Sequence, residues 1–370
     1  MSFAINPDWI WEPILRGGDI VYGDMDLEPN RLDNPIHSIW AYRNWSRAIR
    51  FQNVPAYLVD TNLVITAHHC RPLPIASYER LKPALRLASL FLEKSLPWLW
   101  SVLHAPYQHS GTPPDKTSLK HDFSPWTQER EIQVREALED MSQRYFIIHG
   151  INQEDLLACG ATTYSTRQLD SGLLDIIEDP DDVRSQYRSD QICAINFEFI
   201  EFICSANWRL VPLQWQKRVM FSLAQLLVHE LCHSAVYYRL EEICGDDIFF
   251  SGDEPAAELG RSWEHFMFGG MIYRLDTDPW PVRGPSLTQW DWPHRYFHHL
   301  MYMAELKPIP TNDTTDGGQS HLWMIVSQDI ERLFDRRIWD TWLAMQLKHG
   351  KMSEGPFTLQ LTPMRSDHTV

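Results

Sequence analysis

The chain has 370 residues, of which 44% are hydrophobic and 22% are charged, the composition of a folded protein with a sizeable core. It carries 33 basic and 49 acidic residues, a formal net charge of −16, and its basic residues form no cluster. Such an acidic chain repels phosphate backbones, which argues against nucleic acid as a partner.

The first residues contain no basic stretch followed by an apolar core, and no run of about 18 apolar residues occurs in the chain. We therefore expect neither a signal peptide nor a membrane span, and a cytoplasmic location. The six cysteines form no Cys-x-x-Cys pair, which favours reduced thiols over a disulfide framework. The sequence predicts no particular oligomeric state.

Residues 1–126 are expected to form a mostly helical and irregular N-terminal region that packs on the core. A helix is predicted over Leu81–His104, with Pro83 in its first turn and a break at Pro97. The polar stretch Tyr107–Trp126, which is rich in proline, is expected to be a surface loop.

Residues 127–306 form the predicted catalytic region. An amphipathic helix is expected over Thr127–Arg144, followed by short β-prone runs, of which Cys193–Ile203 has the clearest alternation. A long buried helix is then predicted from Pro212 to about Cys244, because apolar residues surround it on most sides.

A further helix is predicted from Glu254 to Phe268, with Asp253 as its cap. Residues 307–370 are expected to form C-terminal helices and a tail, with the helices over His321–His349. The mixture of β-prone runs and long helices predicts the α+β class.

The most informative stretch is His229-Glu230-Leu231-Cys232-His233, inside the long predicted helix. Residues four apart share a helix face, so His229 and His233 present two imidazoles to one point, at a spacing that suits zinc. Glu230 is offset by one residue, where a carboxylate can reach a metal-bound water without binding the metal. The pattern predicts one Zn²⁺ per chain, with Glu230 as general base.

A catalytic zinc needs a third protein ligand and one open position. Glu254 lies 21 residues after His233 and is the expected third ligand. Glu258 follows four residues later on the same predicted face and would then hydrogen-bond a ligand imidazole. The alternative is that Glu258 is the ligand and Glu254 faces solvent. Glu264 is expected to support the structure.

This layout resembles the gluzincins, a group of zinc metallopeptidases that includes thermolysin-like proteases and related aminopeptidases. The resemblance covers about Ile195–Gly270 and rests on His229, Glu230, His233, Glu254 and Glu258. It implies a zincin-like catalytic domain that hydrolyses peptide bonds. The chain departs from the family in two ways: no Gly-Ala-Met-Glu-Asn exopeptidase motif precedes the helix, and Asp253 rather than asparagine precedes Glu254.

The expected function is zinc-dependent hydrolysis of a peptide or amide bond. A second group is usually needed to stabilise the oxyanion, and the residues between 271 and 302 offer candidates. These candidates are Tyr273, Arg274, His294, Tyr296, His298 and Tyr302. The strand near Ile195–Ile203 is expected to be either the edge along which an extended substrate lies or an ordinary core strand.

Two other functions remain open at this point. A zinc ion can act as a Lewis acid in small-molecule metabolism, in a cyclase, a lyase or a non-peptide hydrolase. A zinc ion can also stabilise an interaction protein that catalyses nothing. The expected partner is thus a peptide or a small-molecule substrate, with neither nucleic acid nor a membrane.

Overall fold

The structure is a computed structural model, and it describes fourteen stretches of the chain. These are residues 31–45, 73–109, 117–120, 126–151, 161–165, 191–211, 213–239, 248–250, 258–268, 271–274, 285–289, 321–325, 327–340 and 361–363. The α-helices are α1 (Tyr42–Trp45), α2 (Ile75–Lys94), α3 (Leu96–His104), α4 (Gln128–Gln143), α5 (Phe197–Cys204), α6 (Leu213–Arg239), α7 (Leu259–Phe268) and α8 (Ser327–Leu333). Short 3₁₀ helices cover Ser38–Trp40 and Ala206–Leu210.

The strands form three small sheets. In chain order they are β1 (Tyr107–His109), β2 (Thr117–Leu119), β3 (Tyr145–Ile151), β4 (Ala161–Ser165), β5 (Gln191–Asn196), β6 (Ile248–Phe249), β7 (Met271–Arg274), β8 (Pro285–Gln289), β9 (His321–Ile325) and β10 (Leu361–Pro363). The sheet orders are β1-β2-β6, β3-β5-β4 and β10-β9-β8-β7. The pairs β2–β6 and β3–β5 are parallel, and every other described pair is antiparallel.

Helix α6 is the central element of the fold. It packs against α2, α3, α7 and α8 and against strand β4. At 1.5 Å per residue its 27 residues span about 40 Å, enough to cross a domain. Its middle section is a run of fully buried apolar side chains, among them Leu223, Leu227 and Leu231. Apolar residues on all sides make this segment stable only inside the protein.

Within the described residues, one segment is long and apolar enough to cross a membrane, namely Gln216–Arg239 of α6. In its most apolar window, 83% of the residues are buried inside the protein. The segment is therefore the core helix of a folded domain.

One hydrophobic cluster joins all three predicted regions. Phe91 of α2 makes edge-to-face contacts with Phe221 of α6, with Trp263 and Phe268 of α7, and with Trp339 near the C-terminus. Each of these aromatic side chains is almost fully buried. Aromatic pairs of this kind add roughly 0.5–1.5 kcal/mol each beyond their buried area, which ties helices far apart in the sequence to one core.

Several predicted helices are confirmed, with shifted ends. The helix predicted over Thr127–Arg144 is α4, and the Thr127 hydroxyl caps it by accepting a hydrogen bond of 3.3 Å from the Arg130 amide. The helical stretch ending at His104 is two helices joined at Ser95. The expected position of Pro83 was wrong, because α2 begins at Ile75 and Pro83 lies inside it. Pro97 lies in the first turn of α3, where its missing N–H costs no hydrogen bond.

Three predicted elements were wrong in type. Strand β5 ends at Asn196, and the rest of the strand predicted over Cys193–Ile203 is helix α5. The predicted loop Tyr107–Trp126 contains the hairpin strands β1 and β2. The region predicted as helices over His321–His349 does contain helix α8, but it begins with strand β9, and the tail contributes strand β10. Short apolar runs fit helix and strand equally well, so their type is decided by packing.

Of the two roles expected for the strand near Ile195, the structure has the ordinary core strand and not the sheet edge. Strand β5 lies between β3 and β4, with Ile195 paired to Ala161 of β4 on one side and to His149 of β3 on the other. Within the described residues, β4 is an edge of this sheet, and it is the strand that packs most closely on α6.

Candidate metal centre

The motif falls in the buried middle of α6, which places its two histidines one helical turn apart. The ring centroids of His229 and His233 are 5.3 Å apart. The His229 side chain is almost fully buried, whereas that of His233 is 25% exposed. The helix therefore presents two imidazoles at the boundary between the core and an opening toward solvent.

A carboxylate from the next described helix meets these imidazoles. Oε1 of Glu258 lies 2.8 Å from Nε2 of His233 and 3.3 Å from Nε2 of His229. This Glu258 oxygen is buried and has no hydrogen-bond partner among the described residues. The three side chains thus converge on one point, where the Glu258 oxygen has no hydrogen bond from a described residue.

This convergence fits a metal ion. The ligand atoms of His229, His233 and Glu258 lie within 4.8 Å of one another. Ligand atoms about 2.0–2.1 Å from a tetrahedral zinc are roughly 3.3 Å apart. The Glu258 oxygen is at this separation from Nε2 of His229 and 2.8 Å from Nε2 of His233. Two imidazoles and one carboxylate are also a ligand set of catalytic zinc sites, in which the fourth position stays open. The residues present therefore suit Zn²⁺.

The electrostatics of the site favour a positive charge between these groups. Burial disfavours the charged form of His229, but the close contacts and negative charges of Glu258 and Glu264 outweigh it and raise the pKa of His229 to about 10. The pKa of His233 is raised in the same way, against burial, mainly by Glu258 and also by Glu230. The pKa of Glu258 is held well below its usual range because the two histidines outweigh its burial. Carboxylates that stabilise imidazolium this strongly also stabilise a bound cation.

A second carboxylate holds the other side of the His229 ring. Oε1 of Glu264 is 2.7 Å from Nδ1 of His229, and Glu264 is completely buried in α7. Burial would raise the pKa of Glu264, but Arg261 and His229 outweigh it and lower that pKa. Hydrogen bonds of this kind fix the orientation and tautomer of a ligand imidazole.

Glu230 lies directly beside this group. It is 4% exposed, so the motif glutamate is buried with the histidines. The pKa of Tyr145, at the start of β3, is raised mainly by burial and then by the neighbouring Cys193. The charge of Glu230 raises this pKa further. The Glu230 carboxylate is therefore close both to His233 and to the β3-β5-β4 sheet.

The structure brings together some of the predicted site residues and leaves others undescribed. It places His229, His233 and Glu258 around one point, with Glu230 beside them. Glu254, the expected third ligand, lies outside the described residues, as do His294, Tyr296, His298 and Tyr302. Tyr273 and Arg274 lie in strand β7.

The helix that was to carry both Glu254 and Glu258 begins later than predicted. Helix α7 starts at Leu259, and the Glu258 carbonyl accepts hydrogen bonds of 3.0 and 3.1 Å from the amides of Arg261 and Ser262. The argument that Glu254 and Glu258 share a helix face was therefore wrong, because Glu258 precedes the first helical residue. The geometry favours the alternative in which Glu258 binds the metal and Glu264 hydrogen-bonds the ligand imidazole.

Three further residues of the site were missed by sequence reasoning. Gln225 donates a hydrogen bond of 2.6 Å to Glu264, Arg261 contacts both oxygens of Glu264, and Gly260 lies against the His229 ring. Gln225 had a readable signal, because it precedes His229 by four residues and extends the polar stripe of an otherwise apolar helix. Gly260 and Arg261 act across two helices and leave no such pattern.

Comparison of the chain with protein families, with curated proteins and with solved structures finds no match. The chemistry of the chain is therefore argued from its own residues.

Proposed function

We propose that the chain is a zinc-dependent hydrolase that cleaves a peptide or amide bond, with His229, His233 and Glu258 as the metal ligands. The observation that carries the proposal is the convergence of these three side chains on one point, with the buried oxygen of Glu258 unsatisfied by hydrogen bonds. The zincin-like α+β fold expected from the sequence is part of the proposal.

The metal site and Glu230 have different roles in the proposed reaction. A zinc ion held by His229, His233 and Glu258 would act as a Lewis acid, which lowers the pKa of a bound water from about 15.7 to about 7. Glu230 acts as general base: its carboxylate accepts the proton of the attacking water and then delivers it to the leaving nitrogen. The burial of Glu230 beside His233 supports this role, since a carboxylate in the motif needs no long movement to reach the water.

A peptide is the substrate class that the surroundings support best. Strand β4 packs on the motif helix α6 and, within the described residues, pairs only with β5. An extended peptide can add to a sheet edge through main-chain hydrogen bonds. The His233 side chain is 25% exposed, so this side of the site opens toward solvent although the Glu258 oxygen itself is buried.

A cytoplasmic location belongs to the same proposal. Cys204 and Cys232 carry free thiols, as expected in a reducing compartment. Fractionation of cells that express the full chain tests this location.

Metal analysis and peptide cleavage test the function together. The purified chain is expected to hold one zinc per chain and to cleave members of a broad peptide library. Glu230→Gln should retain the zinc and lose cleavage by at least about a hundredfold, within the range of general-base contributions. Cleavage by Glu230→Gln at the wild-type rate would overturn the mechanism. Zinc binding without any cleavage in the library would overturn the peptidase assignment.

A further inference from the structure

Both oxygens of the buried Glu264 carboxylate are occupied by hydrogen-bond donors. Oε1 accepts from Gln225 Nε2 at 2.6 Å and lies 2.7 Å from His229 Nδ1. Oε2 accepts from Arg261 Nη1 at 2.9 Å and from the backbone amide of Ile272 at 2.9 Å. A carboxylate surrounded in this way acts only as an acceptor.

This arrangement determines which nitrogen of His229 carries a proton. Because Glu264 accepts, Nδ1 of His229 must be the donor in the contact between them. In the neutral imidazole the other nitrogen, Nε2, then has its lone pair, and Nε2 is the atom that lies near Glu258. The Glu264 carboxylate thus sets the tautomer that a metal ligand needs.

Arg261 fixes the position of that carboxylate. Its Nη1 also approaches Oε1 of Glu264 at 3.2 Å and donates to the Ile272 carbonyl at 3.0 Å. Arg261 and the Ile272 amide therefore join Glu264 to strand β7, so the carboxylate cannot turn away from His229 without breaking several hydrogen bonds. Arginine suits this position because its planar group can reach a carboxylate and a carbonyl at once, which a lysine does less well.

We propose that Arg261 is a positioning residue of the metal centre: it holds Glu264 so that His229 presents Nε2 to the metal. The inference rests on the proposed metal site. The Arg261 side chain reaches Glu264 and the Ile272 carbonyl, and it acts on His229 through Glu264. Loss of the outer partners of a ligand histidine lowers metal affinity by about 10- to 100-fold, which sets the scale of the expected effect.

A double-mutant cycle on zinc affinity tests the proposal. Zinc affinity is measured by competition with a chelator for the wild-type chain, Arg261→Met, Glu264→Gln and the double variant. Each single variant is expected to bind zinc at least about tenfold more weakly. The double variant is expected to bind no more weakly than Glu264→Gln alone, because Arg261 acts only through that carboxylate. Affinity of Arg261→Met within twofold of wild type, or losses that multiply in the double variant, would overturn the proposal.

One spectroscopic measurement and two further variants separate positioning from a general loss of structure. In the zinc-loaded chain, ¹⁵N chemical shifts of the histidines report which ring nitrogen is protonated, and Nδ1 of His229 is expected to lose its exclusive protonation in Arg261→Met. The conservative Arg261→Lys should recover part of the affinity. Arg337→Met removes an arginine whose side chain is 72% exposed and is paired with Asp335, and it should leave zinc affinity unchanged. If the wild-type chain binds no zinc, the proposed function falls with the inference. If the wild-type chain binds zinc and Arg261→Met binds it equally well, only the inference falls.

Discussion

Gly260 lies so close to His229 that a Cβ atom at position 260 would fall 2.3 Å from Nε2 of the imidazole and 2.4 and 2.5 Å from Cδ2 and Cε1. Real Cβ atoms essentially never approach other heavy atoms within 3.0 Å. Any side chain at 260 would therefore overlap the ring. Because Glu264 holds Nδ1 of the same ring, the imidazole can escape only by breaking that hydrogen bond or by pushing α7 away.

Gly260→Ala is therefore expected to lower zinc affinity by at least about tenfold, the loss typical when the orientation of a ligand histidine is disturbed. The expected loss runs against helix propensity, since alanine is more favourable than glycine inside a helix by about 1 kcal/mol. Zinc affinity by chelator competition is the measurement. Thermal unfolding in excess chelator serves as the control for folding. Unchanged zinc affinity in Gly260→Ala would contradict the close packing of α7 on the His229 ring.

The motif half of this site could be predicted from the sequence. The pattern of His229, Glu230 and His233 in an apolar run predicts a buried helix with two imidazoles on one face, and α6 has this form. The prediction succeeds because the spacing within one helix is fixed by local geometry. The same local geometry gave α4 with its Thr127 cap.

The residues that reach the site from α7 depend on how α7 crosses α6. This crossing cannot be read from a single sequence. Glu258, Gly260 and Glu264 reach His229 because α7 packs on α6, and their roles follow from the crossing rather than from their spacing. The sequence predicts that α7 begins at Glu254, whereas it begins at Leu259. The prediction that Glu254 and Glu258 share a helix face depended on the earlier start. The misassigned segment Phe197–Cys204 has the same origin, since its apolar residues suit a strand or a helix until packing selects one.

The identity of the third ligand can be tested with two matched variants. Glu258→Gln keeps the shape of the side chain but removes the negative charge next to Nε2 of His229 and Nε2 of His233. Zinc affinity should therefore fall by more than about 100-fold, which exceeds the loss caused by changes in residues that only support a ligand. Glu254→Gln is the matched control and should retain one zinc per chain with nearly unchanged affinity. Zinc loss in Glu254→Gln with full binding in Glu258→Gln would reverse the assignment.

His37 is predicted to make the fold sensitive to acid. The pKa of His37 is lowered from 6.5 to about 4, mainly by burial and also by the charge of Arg135. These effects outweigh the charges of Glu139 and Glu93, which would raise it. The neutral ring also accepts a hydrogen bond of 3.2 Å from the Ile39 amide, which protonation of that nitrogen would remove. The folded state thus binds the proton more weakly than the unfolded chain does.

The sign of the effect follows from this difference. Neutral His37 makes its full contribution to the unfolding free energy above about pH 6.5. This contribution is lost as the pH falls toward 4, which lowers the unfolding free energy by up to roughly 3 kcal/mol. His37→Asn keeps a capping acceptor that does not titrate, so its unfolding free energy should fall less over this range. Urea denaturation of both chains between about pH 7 and pH 4, in excess chelator, measures the difference. Identical pH dependence in the two chains would show that His37 is protonated as easily in the folded state.

A partly buried ion pair connects the motif helix to the C-terminal region. Nζ of Lys217 in α6 lies 2.9 Å from Oε1 of Glu331 in α8, and the two side chains are 6% and 21% exposed. Removal of one partner leaves a poorly solvated charge, so Glu331→Gln should lower the unfolding free energy by roughly 2–4 kcal/mol. The double variant Lys217→Met/Glu331→Met should be much closer to wild type, because it removes both charges.

Urea denaturation of the full chain measures these effects, and an exposed pair provides the control. Arg336 and Asp340 form an ion pair one helical turn apart with side chains 37% and 58% exposed, so Asp340→Asn should cost less than about 1 kcal/mol. A loss in Glu331→Gln no larger than in Asp340→Asn would mean that α8 does not share the stability of α6. If the predicted loss appears in one cooperative transition, α8 unfolds together with the helix that carries the two histidines, since the ion pair joins these two helices.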